Sequence, residues 1–173
     1  AAADSPAVDA AIGQPFELAA GVFVVRGTGG GVDEANLGRV GNSGFIAGSG
    51  GVLAIETGTS HRHGLALLDG LRRVTGRLPQ QVLITHTRQE MLFGATAFRA
   101  AGVPVSMHAD AAQLMRARCQ TCLRNLQRQL GAIEMAGTEL IAPDRLFERD
   151  HAVELGGDRG NRSPRILGYG HSC

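Results

Sequence analysis

Short strand-like runs alternate with helical periodicity along this chain, and this alternation limits the folds that it can adopt. Residues 52–57 and 82–85 are rich in aliphatic and β-branched side chains, as buried strands are. Between them, apolar residues recur at the spacing of one helix face: Leu65, Leu68, Leu71 and Val74. The pattern repeats with a short helix around 95–101, a strand at 103–107 and a long helix from about Asp110 to Leu130. Strands that alternate with helices predict an α/β layered fold.

The two ends of the chain are predicted from weaker patterns. Strands at 21–25 and 42–47 precede the alternation, with glycines between them. Beyond the long helix, residues 138–142, 152–155 and 165–171 have the composition of strands. Residues 1–15 are rich in Ala, Pro and Gly and are expected to form a flexible arm, so the predicted domain spans residues 16–173.

Composition excludes several classes of protein. The 173 residues suffice for one domain, and no apolar run approaches the ~20 residues of a membrane helix. The formal net charge of +1 gives no electrostatic basis for binding a nucleic acid or an anionic membrane. All 17 basic residues are Arg, which excludes a Schiff-base lysine and a P-loop lysine.

The cysteines and the first residues bear on the cellular compartment. The sequence opens with three alanines and no Met, as a mature chain would after cleavage behind small residues, so we expect a periplasmic or secreted protein, with the cytoplasm as the alternative. Cys119 and Cys122 would share one face of the long helix, and Cys173 is the third cysteine. The pair is predicted to occupy two small buried positions, and a redox, zinc or disulfide role is the alternative.

Residues 83–94 run from a strand into a loop and then into a helix. In open α/β sheets, ligands collect in the loops that follow the carboxyl ends of strands. This loop carries an imidazole, a guanidinium and a carboxylate, on His86, Arg88 and Glu90. This loop is therefore the first candidate for a functional site.

Together with residues 42–46, 52–58 and 102–108, the segment 83–94 resembles the metallo-β-lactamase superfamily, and the resemblance extends over about residues 16–171. It implies an αββα sandwich, of which this chain would hold mostly the N-terminal half, because the family's bridging Asp and last His would lie beyond Cys173. Residues 119–122, 135–138 and 143–145 resemble the periplasmic, quinoprotein-associated zinc metallohydrolases of the superfamily.

That family binds one or two zinc ions through a His-x-His-x-Asp-His loop and a later histidine, and the match here is partial. His86 falls on the first histidine and Glu90 on the aspartate, while His171 resembles the later loop. Arg88 and Met91 stand where the family has its second and third histidines. A guanidinium cannot ligate a metal, and a thioether does not suit a zinc hydrolase. The resemblance therefore implies one zinc ion at most, held by His86, Glu90 and His171.

Each of these residues has a structural alternative. His86 is equally compatible with a strand-end histidine bonded to backbone, and Glu90 with a carboxylate that favours a helix N-terminus. Glu90 and Arg88 are the candidate catalytic residues; Arg88 would orient an anionic substrate or pair with Glu90. His61 and His63 are further candidate ligands, but on an extended segment they would face opposite sides.

The resemblance implies a zinc-dependent hydrolase that acts on an acyl, ester or thioester bond of a small molecule. The alternative is a catalytically inactive binding or interaction module on the same scaffold. Because half a sandwich leaves a sheet face and an edge open, we expect a homodimer or a fragment of a longer chain. A third hypothesis is copper handling, because soft donors suit Cu(I); its candidate ligands are Met91, Met107, His108, Cys119 and Cys122.

Overall fold

The computed structural model describes residues 14–156 and the backbone of residues 165–166. Within these residues the elements follow in the order β1 (Phe16–Ala19), β2 (Val22–Val25), β3 (Ser43–Ala47), β4 (Val52–Ile55), α1 (His61–Thr75), β5 (Gln81–Ile84), α2 (Gln89–Leu92), α3 (Ala95–Ala100), β6 (Val105–His108), α4 (Ala109–Glu134), β7 (Arg145–Phe147), β8 (His151–Ala152) and β9 (Arg165–Ile166). The alternation predicted for the middle of the chain is confirmed. The strand β1 is an addition that the sequence pattern did not predict.

One mixed sheet organises the described chain. Its seven strands lie in the order β1 to β7, antiparallel from β1 to β4 and parallel from β4 to β7. The parallel pairs are the ones joined through helices, because a parallel connection needs a crossover. The carboxyl ends of β4, β5 and β6 therefore meet at one edge of the sheet. A second sheet pairs β8 with β9.

The helices cover one face of the seven-stranded sheet and form the larger core with it. Alternate residues of the central strands, such as Val52, Val82 and Val105, point into this core and are at most 1% exposed. Apolar residues of α1, α3 and α4 pack against them: Leu67, Leu68, Leu71, Phe98, Met115, Leu123 and Leu126. Each large apolar side chain that is fully buried stabilises the fold by roughly 1.5–3 kcal/mol before entropy is counted.

The opposite face of the sheet has a smaller core. Leu53 of β4 and Leu83 of β5 pack there against Val153 and Leu155 from the segment that follows β8. The backbone N–H of Gly50 donates to the carbonyl of Leu155 at 2.7 Å, which fastens this segment to the β3–β4 turn. A strand was predicted at 152–155, but only residue 152 belongs to one; Val153 and Leu155 cover the sheet from irregular backbone.

Helix α1 begins four residues earlier than the apolar periodicity indicates. The hydroxyl of Ser60 accepts from the backbone N–H of His63 at 3.0 Å, a side-chain N-cap, and Gly76 ends the helix in the left-handed conformation. The expectation that His61 and His63 lie on an extended segment is therefore wrong, because the cap at Ser60 places both in the first helical turn.

The strand predicted at 138–142 is also wrong. Thr138 uses its hydroxyl to accept from the backbone N–H of His61 at 2.9 Å, and the edge strand β7 forms only at Arg145–Phe147. Asp144 sets that position, because its N–H donates to the Val105 carbonyl at 2.8 Å and its Oδ2 accepts from the Val105 N–H at 2.8 Å. Of the strand predicted at 165–171, only Arg165–Ile166 is described.

The predicted long helix is confirmed as α4, whose backbone breaks at Gly131 (φ 81°). Cys119 is buried and Cys122 is half-buried against the same core, as predicted for two small core positions. Cys173 lies outside the described residues. Among the helices described here, none combines the length and apolar character of a membrane span.

Candidate functional site

Three polar side chains meet where β4 and β5 end. Glu56 directly follows β4, Thr85 and His86 follow β5, and the backbone N–H of Glu56 donates to the Leu83 carbonyl at 2.9 Å. Because β4 and β5 are parallel neighbours, their ends lie side by side. The loop then continues through Arg88 to Glu90 in α2. We call Glu56, Thr85, His86, Arg88 and Glu90 the rim.

Glu56 is the rim residue that sequence reasoning missed. Its carboxylate Oε1 accepts from the backbone N–H of Thr85 at 3.2 Å and from the Thr85 hydroxyl. Burial raises its pKa to about 7; the Thr85 hydrogen bonds oppose the shift and the negative charge of Glu90 adds to it. Its φ of 67° is in the left-handed region, which costs of order 1 kcal/mol or more for a non-glycine residue. An acidic residue that ends a buried strand immediately before Thr57 and Gly58 was the available signal.

The His86 imidazole is oriented by its neighbours. Its side chain is 48% exposed, and Nδ1 lies 2.5 Å from the Thr85 hydroxyl oxygen and 4.0 Å from Glu56 Oε1. Since the Thr85 hydroxyl gives its one proton to Glu56, its oxygen accepts from His86 Nδ1–H. The Glu56–Thr85 pair therefore selects the tautomer in which Nε2 carries the lone pair, the arrangement that a metal ligand or a proton acceptor needs.

Arg88 and Glu90 form the ion pair that their spacing allowed. Arg88 Nε donates to Glu90 Oε1 at 2.5 Å, with the guanidinium exposed and the carboxylate buried. Glu90 lies in the first turn of the short helix α2. The guanidinium thus supplies the positive charge that stabilises this buried carboxylate.

The remaining predicted ligands are placed apart from this group or are not described. His63 is buried, and its Nδ1 accepts from the Thr59 N–H at 3.1 Å; burial, with the charge of Arg39, lowers its pKa to about 3. The His61 Nδ1 lies 3.0 Å from the Thr96 hydroxyl. Both rings thus contact groups of the α1 and α3 region. His171 lies outside the described residues.

The side chains of the rim can be compared with the ligands that zinc needs. Two ions do not fit, because Arg88 and Met91 offer no ligand where a second ion would need one. The rim does offer donors of the right type for one ion: the His86 imidazole and the carboxylates of Glu56 and Glu90, of which Glu90 is paired with Arg88. Within residues 14–156, no three His, Cys, Asp or Glu side chains converge closely enough to hold a metal. A third ligand would have to come from elsewhere, and His171 is the candidate.

A second buried polar cluster lies at the start of α1. The Glu134 Oε1 accepts from Arg39 and from the Ser60 hydroxyl, the latter at 2.7 Å. Arg62 Nε lies 3.9 Å from Glu134 Oε2, an oxygen that makes no hydrogen bond within the described part of the chain. This cluster joins the β2–β3 loop, the N-terminus of α1 and the end of α4. The segment 57–60 connects Glu56 of the rim to this end of α1.

Comparison with solved structures identifies the fold. The chain superposes on a metallo-β-lactamase from Pontibacter korlensis with a TM-score of 0.60 and 17% identity, over 83% of this chain and 56% of that one. A metallo-β-lactamase from Hirschia baltica gives 0.57 and 14%, over 82% and 56%. The FEZ-1 metallo-β-lactamase from Legionella gormanii gives 0.56 and 14%, over 83% and 50%. No protein-family model and no curated protein matches the sequence.

These similarities show that the chain has the metallo-β-lactamase fold, as its sequence predicted. The chain spans about half the length of the solved structures it matches, which is consistent with the N-terminal half of the sandwich. Because the sequence identities are below 25%, these similarities establish the fold alone. The activity must therefore be argued from the rim itself.

Proposed function

We propose that this chain carries the site of a metallo-β-lactamase-fold hydrolase that cleaves an acyl, ester or thioester bond and binds one zinc ion at most. His86 and Glu90 would hold the ion, with His171 as the third ligand. The observation that carries the proposal is the contact of His86 Nδ1 with the Thr85 hydroxyl, which in turn contacts the Glu56 carboxylate: with Glu56 ionised, this arrangement favours the tautomer that leaves Nε2 with its lone pair.

Each residue of the rim has its own role in the proposed reaction. When bound, zinc would supply a water molecule with a pKa near 7 as the nucleophile. Glu56 and Thr85 hold the His86 ring, and the left-handed backbone at Glu56 turns its carboxylate toward Thr85. Arg88 lies at the exposed side of the rim, where its guanidinium can bind an anionic group of the substrate.

Zinc content tests the proposal directly. The full chain is dialysed against trace zinc and its bound metal is measured by elemental analysis. We expect about one equivalent, lost in His86→Ala and kept in His151→Ala, a matched histidine on β8. Hydrolysis of a chromogenic ester and a thioester should follow the bound zinc. Less than about a tenth of an equivalent bound would exclude the zinc enzyme.

A catalytically inactive binding module is the second candidate, and one observation favours it. The Arg88 guanidinium already neutralises Glu90, so the rim holds a cation of its own. In that case the zinc content stays near zero, and ester hydrolysis is the same in the native chain and in His86→Ala.

A further inference from the structure

Helix α4 carries a charge imbalance that the net charge of the chain conceals. Between residues 111 and 133 the sequence has four arginines and no Asp or Glu; the two acidic residues of α4 lie at its ends, Asp110 in the first turn and Glu134 paired with Arg39. The whole chain has a formal charge of +1. All four arginines are exposed. An exposed helix that only contacts water normally mixes both signs, because i,i+4 pairs of opposite charge stabilise it.

Three of these arginines form a straight ridge. Arg116, Gln120, Arg124 and Arg128 are spaced four residues apart, so their side chains lie in one row along the helix. The row spans about 18 Å at 1.5 Å per residue. Gln127 lies beside it, one turn from Arg124 and next to Arg128. We call Arg116, Gln120, Arg124 and Arg128 the arginine ridge.

The ridge arginines have no carboxylate partner within the described residues. Arg124 donates to the Thr121 hydroxyl at 2.9 Å and Arg128 to the Asn125 side-chain oxygen, both neutral acceptors on α4. Arginines elsewhere in the chain do form ion pairs: Arg39, Arg62, Arg73, Arg88 and Arg99. Other arginines, such as Arg72 and Arg145, also have no ion pair within the described residues, so the distinguishing feature of α4 is that its unpaired arginines lie in one row.

We propose that the arginine ridge docks an acidic segment of a partner protein, with carboxylates that face Arg116, Arg124 and Arg128. A guanidinium binds a carboxylate through two parallel N–H donors, and the glutamine in the row adds neutral hydrogen bonding. The ridge has no aromatic side chain on which bases could stack, which disfavours single-stranded nucleic acid. It has no row of apolar side chains to enter a bilayer, which disfavours a membrane surface. This surface lies on α4 and does not depend on the chemistry of the rim.

Binding of a labelled oligo-glutamate peptide of about twelve residues, the ridge length as a helix, tests the proposal. Fluorescence anisotropy is measured with the full chain at low salt and at about 0.5 M salt, where exposed charges are screened. We expect binding that weakens with salt and that falls at least about tenfold when Arg116→Gln, Arg124→Gln and Arg128→Gln are combined. Glutamine keeps the helix propensity of arginine, so the variant should fold.

The matched control removes the same charge elsewhere. Arg72→Gln, Arg73→Gln and Arg149→Gln change three exposed arginines outside α4, and peptide affinity should stay within about twofold. Equal losses in both triple variants would overturn the proposal, as would absence of peptide binding. Tighter binding of a single-stranded oligonucleotide, or of vesicles that contain phosphatidylglycerol, would also overturn it.

Discussion

At the scale of single residues, the buried imidazole of His63 makes stability depend on pH. Its pKa is lowered from 6.5 to about 3 by burial and by Arg39, so the folded chain keeps it neutral where the unfolded chain protonates it. The contribution of His63 to stability is therefore full above pH 6.5 and falls as the pH drops toward 3. Between pH 7.5 and pH 5 this contribution should fall by about 2 kcal/mol, measured by urea unfolding as the difference between the native chain and a variant in which this residue does not titrate.

The variant His63→Asn isolates this effect. The Asn Oδ1 can still accept from the Thr59 N–H, but the side chain does not titrate. From pH 7.5 to pH 5 its change in stability should be more favourable than that of the native chain by about 2 kcal/mol, because the variant lacks the loss that His63 causes. Glu56 has a raised pKa, so it adds stability as the pH falls from 7 to 4.5. Both chains carry Glu56, so its effect cancels when the two pH dependences are subtracted. Equal pH dependence in both chains would contradict the prediction; His151→Asn is the control.

The second prediction at this scale concerns Arg88. Replacing it by histidine removes a cation beside Glu90 and adds an imidazole two residues from His86. We expect Arg88→His to raise zinc affinity at least about tenfold, measured by competition with a chromogenic chelator. Arg73→His, on the exposed side of α1, should leave it unchanged. Unchanged affinity in Arg88→His would mean that the rim is not organised around a metal.

Sequence separation decides which of these residues could be predicted. Arg88 and Glu90 are two residues apart, so their ion pair followed from the local pattern. Arg39 and Glu134 are 95 residues apart, and no periodicity links them. Glu56 was interpreted as the end of a strand, because its contact with Thr85 exists only once β4 and β5 pair. Local spacing thus predicts local pairs, and the buried polar contacts that position the site come from tertiary structure.

At the scale of elements, the N-terminus of α1 depends on a segment 77 residues away. The Thr138 hydroxyl accepts from the His61 N–H, one of the groups that a helix cannot satisfy itself. Thr138→Val keeps the shape and removes the acceptor, and should lower the free energy of unfolding by about 1 kcal/mol. Thr121→Val, on the exposed face of α4, should cost less than about 0.5 kcal/mol. Equal costs in the two variants would show that the Thr138 cap contributes nothing.

Packing and side-chain contacts explain which helices and strands could be predicted from the sequence. The helices α1 and α4 followed from apolar residues at helical spacing, because each packs one face on the sheet. The segment 138–142 has strand-like residues, but Thr138 accepts a hydrogen bond from the start of α1, and the segment pairs with no strand of the described residues. The strand β7 was missed because its three residues are too few to show alternation, and Asp144 positions it through contacts with β6.

At the scale of the whole molecule, the seven-stranded sheet ends in the outer strands β1 and β7, neither of which pairs with a further strand of the described residues. Strand β1 at one edge exposes Leu18 by 65%, and β7 at the other exposes Leu146 by 55%. Edge strands that present apolar side chains are surfaces on which a second chain can pair. On the second face, the described residues Val153 and Leu155 cover Leu53 and Leu83. The exposed edge leucines support the expectation that a second copy, or the rest of a longer chain, packs on the sheet, and we propose the second copy.

Light scattering of the purified chain measures this association. We expect twice the 18.1 kDa of one chain for the native protein. Combining Leu18→Lys with Leu146→Lys places a charge on each edge strand, which opposes pairing, and should give the mass of one chain. Leu65→Lys changes a leucine of α1 that is 49% exposed and should leave the dimer intact. A native chain that is already monomeric at high concentration would exclude the homodimer. A dimer that persists in the double variant would place its interface away from the sheet edges.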